Sequence, residues 1–198
     1  SLPPPTVAAL GQQLLGALQA VHAAGVVHWD VKPANLLVGD DLSLVLIDFG
    51  IAEIEGATPA HPARRSGWVV GSPAYMAPEQ ARAEKPHADA RTDVYSLGVV
   101  LYELLSGTRP FAGVGQMLLE RIQEEDPRPP RRLNSMVSVD LETVCLKAMA
   151  KEPKNRYVSA GAFADDLRRW LAGEAVLARP ESSIAAFWRK CRRKPILS

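Results

Sequence analysis

The sequence predicts a mainly α fold with one short β region, which places it in the α+β class. Two long segments carry the helical signal. Apolar residues recur every three or four positions between residues 7 and 21, and they occupy nearly every helical face between residues 94 and 105. Short apolar runs at residues 26–27, 36–38 and 44–47 indicate strands that bracket a loop and a hairpin.

The first helix is predicted to follow Pro3-Pro4-Pro5, a run that breaks regular structure. Thr6 can cap the helix, and Gly25 can end it. The apolar positions between these two residues lie on one side, so this segment is predicted to be a core helix.

The second long helix is predicted to start at Thr92 or Asp93 and to end near Gly107. Because apolar residues lie on nearly all its faces, we expect it to be buried in the centre of the domain. Shorter helices are predicted at residues 117–122, 139–149 and 160–171, the last of them ended by Gly173. Three methionines are interpreted as core filling: Met117, Met136 and Met149.

The composition is that of an ordinary globular protein: the 198 residues are 47% hydrophobic and 23% charged. A formal net charge of +1 argues against a general nucleic-acid binder. Cys145 and Cys191 stand far apart, and the four histidines show no ligand spacing, which argues against a zinc site or a disulfide framework. No apolar run of about 18 residues is present, so we expect no membrane span.

Four polar residues near the predicted hairpin have the chemistry that phosphoryl transfer requires. That reaction needs oxygen ligands for Mg²⁺, a cation for the phosphate oxygens and an acceptor beside the attacking hydroxyl. Asn35 and Asp48 suit the metal, Lys32 suits the phosphate and Asp30 suits the hydroxyl. Each residue alone would more often be a local turn former or cap, so the interpretation depends on the four together.

The order of these residues resembles that in the eukaryotic-like (Hanks-type) bacterial serine/threonine protein kinases. The resemblance covers about residues 6–172 and rests on several motifs in the family's order. They are His28-Trp29-Asp30-Val31-Lys32-Pro33-Ala34-Asn35, Asp48-Phe49-Gly50, Gly71-Ser72-Pro73-Ala74-Tyr75-Met76-Ala77-Pro78-Glu79, Asp93-Val94-Tyr95-Ser96-Leu97-Gly98, and Arg156 after Pro153. The resemblance implies the helical large lobe of a kinase, with the hairpin around its catalytic and metal-binding loops.

The resemblance implies that the chain transfers the γ-phosphoryl group of ATP to Ser or Thr hydroxyls of protein substrates. Asp30 would accept the hydroxyl proton, and Lys32 would neutralise the phosphoryl oxygens. Asn35 and Asp48 would hold Mg²⁺ or Mn²⁺, and with Lys32 they would bind the nucleotide. Phe49 and Gly50 complete the metal-binding motif. His28 is interpreted as a core histidine that bonds backbone groups.

Trp29 departs from the family pattern, because most relatives have arginine at this position. An indole carries no charge and one donor, so it cannot hold a phosphate of the activation segment as a guanidinium would. We therefore expect activity that depends little on phosphorylation of that segment. Ser66 stands where related bacterial kinases are often autophosphorylated, and an unmodified exposed serine is the equal alternative.

Four further residues receive structural roles from the resemblance. Ser72 would contact the catalytic aspartate and lysine and shape the substrate site. Asp93 would hydrogen-bond the backbone of the catalytic loop and set the geometry of Asp30. Glu79 and Arg156 would form a buried ion pair; two unrelated surface charges are the alternative.

A complete kinase domain would begin with a small β-rich lobe, and none of that lobe's motifs is present in the sequence. Residues 1–174 are therefore predicted to be the large lobe alone, with the small lobe absent. We expect this piece by itself to be inactive. A non-catalytic binding or scaffold module, similar to a pseudokinase, remains the alternative.

Residues 175–198 are predicted to be a separate basic and aromatic tail, similar to a juxtamembrane segment. Ile184, Phe187 and Trp188 fall at helical spacing beside five cations between residues 189 and 194. Such a segment can lie on an anionic membrane, and a solvated tail is an equal alternative. The predicted location is cytoplasmic, with the inner face of the cell membrane as one option. The sequence leaves the oligomeric state open.

Overall fold

The structure is a computed structural model that describes residues 2–49, 53–54, 73–82 and 89–178. Within these residues the fold is mainly helical with two small antiparallel strand pairs, in agreement with the predicted fold class. The helices are α1 (Pro4–Ala23), α2 (Pro78–Ala81), α3 (Arg91–Ser106), α4 (Gly115–Glu124), α5 (Val139–Ala148) and α6 (Ala160–Leu171). The strands are β1 (Val26–Val27), β2 (Leu36–Val38), β3 (Leu44–Leu46) and β4 (Glu53–Ile54).

Helix α1 begins two residues earlier than the predicted cap at Thr6. Pro4 is its first residue, and Pro3 takes the cap position without a side-chain hydrogen bond. Proline is well tolerated here, because the first helical turn does not use the N–H group that proline lacks. The proline run therefore starts the helix, and the prediction that it breaks structure up to Thr6 was wrong. At the other end Gly25 adopts a left-handed conformation with φ of 71°.

Helix α3 lies in the centre of the core and is packed by α1, α5 and α6. It starts at Arg91, one or two residues before the predicted start, and Gly107 ends it with φ of 78°. Most of its side chains are buried, as its apolar faces predict.

Helices α1 and α6 pack closely along their lengths. A Cβ atom on Gly11 would lie 3.0 Å from Leu167 Cδ1 of α6 and 2.9 Å from Leu101 Cδ2 of α3. Gln12 Nε2 donates to the carbonyl oxygen of Ala164 at 3.5 Å. The glycine thus permits close contact among three helices, one of which leads directly into β1.

The hairpin of β2 and β3 pairs Leu37 with Val45 and Leu36 with Leu46. Leu46 is buried and Leu36 is partly buried, whereas Leu37 and Val45 are 57% and 54% exposed. The hairpin therefore has one apolar face in the core and one in solvent. Gln13 of α1 holds its turn: Nε2 donates to Leu42 O at 3.1 Å and Oε1 accepts from Leu44 N at 3.0 Å.

The interpretation of the methionines as core filling is right for one of the three. Met149 is buried, whereas Met117 and Met136 are exposed. Among the residues that the structure describes, no helix has the length and apolar character needed to cross a bilayer.

Candidate active site

Asp30 lies on the loop between β1 and β2, and its side chain is held by two neighbours on the same loop. Lys32 Nζ forms an ion pair with Asp30 Oδ2. Asn35 Nδ2 donates to Asp30 O at 2.9 Å and to Asp30 Oδ2 at 3.2 Å. Because the amide nitrogen of Asn35 is engaged with Asp30, Oδ1 is the atom of this side chain that can bind a cation. The loop therefore presents a carboxylate, an ammonium group and an amide oxygen together.

Asp48 follows β3 and is brought to this loop by the hairpin. The N–H of Ile47 donates to the carbonyl oxygen of Asn35 at 2.9 Å, which joins the end of β3 to the loop. The Asp48 side chain is exposed, and its backbone is left-handed with φ of 64°. Such a conformation is uncommon for a residue other than glycine and occurs mainly where the surroundings impose it. The hairpin thus determines where this carboxylate lies.

His28 is fully buried between the two loops, and its contacts assign its tautomer. Nδ1 accepts from the N–H of Asp30 at 3.3 Å, so the proton of the neutral ring is on Nε2. Nε2 can then donate to the carbonyl oxygen of Ile47 at 3.3 Å. The His28 and Phe49 rings also pack against each other, with centroids 4.8 Å apart and planes 59° apart. His28 thus connects the Asp30 loop to the segment that carries Asp48.

Asp93 is fully buried near the start of α3 and accepts hydrogen bonds from three groups of the site. The N–H groups of His28 and Trp29 donate to Oδ2 and Oδ1, each at 2.8 Å. His22 Nε2, at the end of α1, lies 2.8 Å from Oδ2. Asp93 therefore joins α1, α3 and the Asp30 loop through one carboxylate, which fixes the backbone immediately before Asp30.

Sequence reasoning did not identify His22 and Gln80 as part of this arrangement. Gln80 Nε2 donates to the carbonyl oxygen of Trp29 at 3.0 Å, and Gln80 Oε1 accepts from Ala77 N at 2.8 Å. The signal for His22 was its position in the last turn of a helix six residues before His28. The contact of Gln80 with Ala77 is local, but a single sequence contains no signal for its contact with Trp29, which is 51 residues away.

The Trp29 side chain is buried and packs against Val27. Its backbone is left-handed with φ of 67°. Trp29, immediately before Asp30, and Asp48, just after the hairpin, thus both have this rare conformation. A recess beside Asp30 is lined by Trp29, Asp30, Val31, Tyr75, Met76 and Ser96.

Glu79 and Arg156 form a buried bidentate ion pair beneath the site. Arg156 Nη1 and Nη2 donate to the two carboxylate oxygens at 2.7 and 2.6 Å. The Thr92 hydroxyl donates to Glu79 Oε1 at 3.0 Å. Arg156 also lies over the ring of Tyr95, 4.9 Å from its centroid. The pair ties α2, α3 and the segment before α6 together.

Burial sets the ionisation of the tyrosines around this framework. Burial raises the pKa of Tyr95 well above its ordinary value, and burial with the Glu103 carboxylate does the same for Tyr75. The Tyr75 hydroxyl donates to Glu103 Oε2 at 2.7 Å. Both phenols are therefore neutral at physiological pH, and the Tyr75 phenol is a hydrogen-bond donor.

The residues near the hairpin suit a hard divalent cation. Asn35 Oδ1 and the Asp48 carboxylate are oxygen donors, the type that Mg²⁺ prefers, and Mg²⁺ commonly keeps several waters and needs few protein ligands. Within the described ranges, no group of three or more His, Cys, Asp or Glu side chains could hold a metal ion. The donor set thus fits a cation whose remaining ligands are water molecules and phosphate oxygens. Gly50, Ser66 and Ser72, as well as the tail segment 184–194, lie outside the described residues.

Comparison with known proteins shows similarity to protein kinases over most of the chain. The profile of the protein kinase domain family matches residues 1–167. Serine/threonine-protein kinase PknB of Mycolicibacterium smegmatis is 42% identical over 160 residues, which are 80% of this chain and 25% of that protein. PknB of Mycobacterium leprae is 39% identical over 174 residues, 87% of this chain and 27% of that protein.

A further relative, serine/threonine-protein kinase pkn3 of Myxococcus xanthus, is 41% identical over 165 residues, 79% of this chain and 30% of that protein. The chain thus spans between a quarter and a third of the length of these curated relatives. The family match includes both the loop of Asp30 and the helix of Asp93, which the structure joins by hydrogen bonds. The chain therefore belongs to the protein kinase domain family, in its eukaryotic-like bacterial serine/threonine branch.

Proposed function

We propose that this chain is the catalytic large lobe of a kinase that transfers the γ-phosphoryl group of ATP to Ser or Thr hydroxyls of proteins. The observation that carries the proposal is the Asp30 carboxylate, which Lys32 and Asn35 hold on one loop of a kinase-family domain. A carboxylate held this way can accept a proton from a hydroxyl that lies beside it.

In the proposed reaction, the substrate hydroxyl oxygen attacks the γ-phosphorus and the bond from phosphorus to the ADP oxygen breaks. Asp30 orients the hydroxyl and accepts its proton. Lys32 Nζ, next to Asp30 Oδ2, neutralises charge on the phosphoryl oxygens. Asn35 and Asp48 would hold Mg²⁺ or Mn²⁺, which when bound supplies positive charge to the phosphates.

The outward face of the hairpin supports a nucleotide site on this side of the lobe. Leu37 and Val45 form an exposed apolar pair on the strands that lead away from Asn35 and toward Asp48. A flat apolar surface beside cation ligands suits the base of a nucleotide. This surface would cover only one side of the base. We therefore expect the 198-residue chain to bind ATP with a millimolar or weaker Kd, which is a binding free energy of roughly 4 kcal/mol or less.

Trp29 supports a kinase that needs little phosphorylation of the segment after Asp48. The side chain before Asp30 is a buried indole, so it offers no cation to a phosphate. The backbone there is instead fixed by Asp93 and Gln80. Hydrogen bonds to Asp93 and Gln80 would thus maintain the geometry that a phosphate clamp maintains in other kinases.

A scaffold function is the alternative proposal, and the exposure of the Leu37–Val45 pair is what favours it. A lobe that is open on its nucleotide side could present a docking surface without catalysis. The two proposals differ in their requirement for Asp30, because only the enzyme uses its carboxylate chemically.

The deciding experiment is a radiolabelled ATP transfer assay on the longest chain encoded by the parent gene. Its Asp30→Asn variant removes the proton acceptor and keeps the shape. The matched control is Asp140→Asn, an exposed aspartate in the first turn of α5. The kinase proposal expects transfer by the parent chain and the control and none by Asp30→Asn. No transfer by any of them would favour the scaffold.

We also propose a cytoplasmic location, with residues 184–194 in contact with anionic lipid. The five cations and two aromatic residues of that segment support this proposal, since each cation contributes about 1 kcal/mol near an anionic surface. Sedimentation of a peptide of residues 181–198 with anionic and neutral vesicles tests it. Equal binding to both vesicles would contradict it.

A further inference from the structure

The chain continues in ordered contact with the lobe beyond the family match, which ends at residue 167. Helix α6 ends in a turn in which Gly173 has φ of 72°. The N–H of Glu174 donates to Arg169 O at 2.8 Å, and the N–H of Gly173 donates to Trp170 O at 3.1 Å. This pair of bonds is the Schellman arrangement, which reverses the chain at the end of a helix. Residues 174–178 therefore run back along α6.

The reversed segment reaches a buried carboxylate on the same helix. Asp166 is fully buried, and Oδ1 accepts from the N–H of Leu177 at 2.6 Å. Oδ2 accepts from the N–H of Ala178 at 2.8 Å and from the hydroxyl of Tyr157 at 2.9 Å. Both oxygens of the carboxylate are thus used, and two of the three donors belong to the segment after α6.

The backbone of this segment makes the contact with Asp166, while its side chains differ in burial. The Leu177 side chain is 63% exposed, so it contributes little packing. Ala178 is buried in the main core, and Val176 packs against that core. A buried carboxylate is costly unless donors satisfy it, and consecutive N–H groups are well suited to do so. Asp166 and residues 174–178 therefore stabilise each other.

We propose that residues 174–178 are a docked strap and that the Asp166 carboxylate, with Tyr157, is its receptor. The strap fixes the position of Ala178, which the basic and aromatic segment follows in the sequence. It does so on α6, which packs through Leu167 against Gly11 of α1, the helix that leads into the Asp30 loop. A partner that draws the tail away from the lobe must break the two bonds from Leu177 and Ala178 to Asp166.

This proposal extends the lobe past the predicted boundary at residue 174 and does not depend on the proposed kinase activity. Its test is amide hydrogen exchange of the whole chain, measured residue by residue by NMR. The amides of Leu177 and Ala178 are expected to be protected in the wild type. In Asp166→Asn, where an NH₂ group replaces one acceptor, the exchange of these amides is expected to rise about tenfold or more.

Three variants serve as comparisons. Tyr157→Phe removes the third donor and keeps both strap bonds, so strap protection is expected to stay within about threefold of the wild type. Leu177→Pro removes one N–H donor and an exposed side chain, whereas Leu177→Ala removes the side chain and keeps the donor. The exchange of the Ala178 amide is expected to increase in the proline variant and to be unchanged in the alanine variant.

Exchange of the α3 amides reports global unfolding in every variant. If Asp166→Asn unfolds the whole lobe, the Leu177 pair decides the question, because Leu177 carries no buried side chain. Unprotected Leu177 and Ala178 amides in the wild type would overturn the proposal. Equal exchange at Ala178 in the proline and alanine variants would also overturn it.

Discussion

Arg156→Met tests the buried ion pair of Glu79 and Arg156. The guanidinium uses all five of its N–H donors, which is the maximum for this side chain. Two go to the Glu79 carboxylate, and one each goes to the carbonyl oxygens of Ala150, Arg91 and Lys151, at 2.6 to 3.0 Å. Methionine fills a similar length and offers no donor. The substitution therefore leaves a buried carboxylate and three backbone carbonyl groups without these partners.

The expected loss in the free energy of unfolding is about 3–5 kcal/mol, the range for removing one partner of a buried ion pair. The three carbonyl groups place the expectation at the upper end of that range, since each lost donor has its own cost. Whole domains have a stability of only about 5–15 kcal/mol, so the variant should be severely destabilised. Urea unfolding followed by far-UV circular dichroism at 25 °C measures the loss.

Two further variants separate the buried pair from a general effect of losing an arginine. Arg168 pairs with Asp165 at 3.6 Å with both side chains more than half exposed, so Arg168→Met should change stability by about 0.5 kcal/mol or less. The double variant Glu79→Leu with Arg156→Met removes both charges and should be more stable than Arg156→Met alone. A loss below about 1 kcal/mol for Arg156→Met, or a double variant no better than the single one, would refute this reasoning.

Three other predictions concern the ionisation and geometry of the lobe. Asp93→Asn places an NH₂ group against donors of the Asp30 loop, so in the parent chain transfer should fall about tenfold or more while the KM for ATP changes little; unchanged transfer would contradict it. Burial raises the pKa of Tyr102 to about 12 and raises the pKa values of the other three tyrosines too, so the stability that these phenols contribute should be complete below about pH 10 and should fall as pH rises from about 10 to 12; spectrophotometric titration showing ordinary phenol ionisation in the folded chain would contradict it. Because Trp29 carries no charge, phosphatase treatment of the parent chain should leave most of the proposed transfer activity, and complete loss would contradict that expectation.

The sequence was sufficient for features that depend on neighbouring residues. Helix α6 has the predicted bounds, because apolar spacing and Gly173 are both local signals. The hairpin strands differ from prediction by a single residue at the end of β3. The start of α1 was wrong for a local reason as well, since proline ends a helix in its interior and is tolerated in its first turn.

The family resemblance predicted two contacts between distant segments, that of Asp93 with the Asp30 loop and that of Glu79 with Arg156, but local sequence patterns alone were insufficient for such contacts. The pairing of β1 with β4 and the contact of His22 with Asp93 each join residues far apart in the chain. Met117 and Met136 have the same chemistry as the buried Met149, and only the packing of neighbouring helices decides which of them is covered. In the sequence Asp166 likewise resembles any charged residue of an amphipathic helix, because its contacts with Leu177 and Ala178 depend on the chain reversal at Gly173.

The hydrogen bonds of Asp93 have a consequence for how the site forms during synthesis. They join Asp93 to Trp29, His28 and His22 across 64, 65 and 71 residues of sequence. A ribosome adds about 5–20 residues per second, so Asp93 is made roughly 3–13 seconds after Trp29. Contacts of such long separation also form slowly in refolding, because the intervening loop must close first. The Asp30 loop therefore lacks its hydrogen bonds to Asp93 until α3 has been made and has packed into the core.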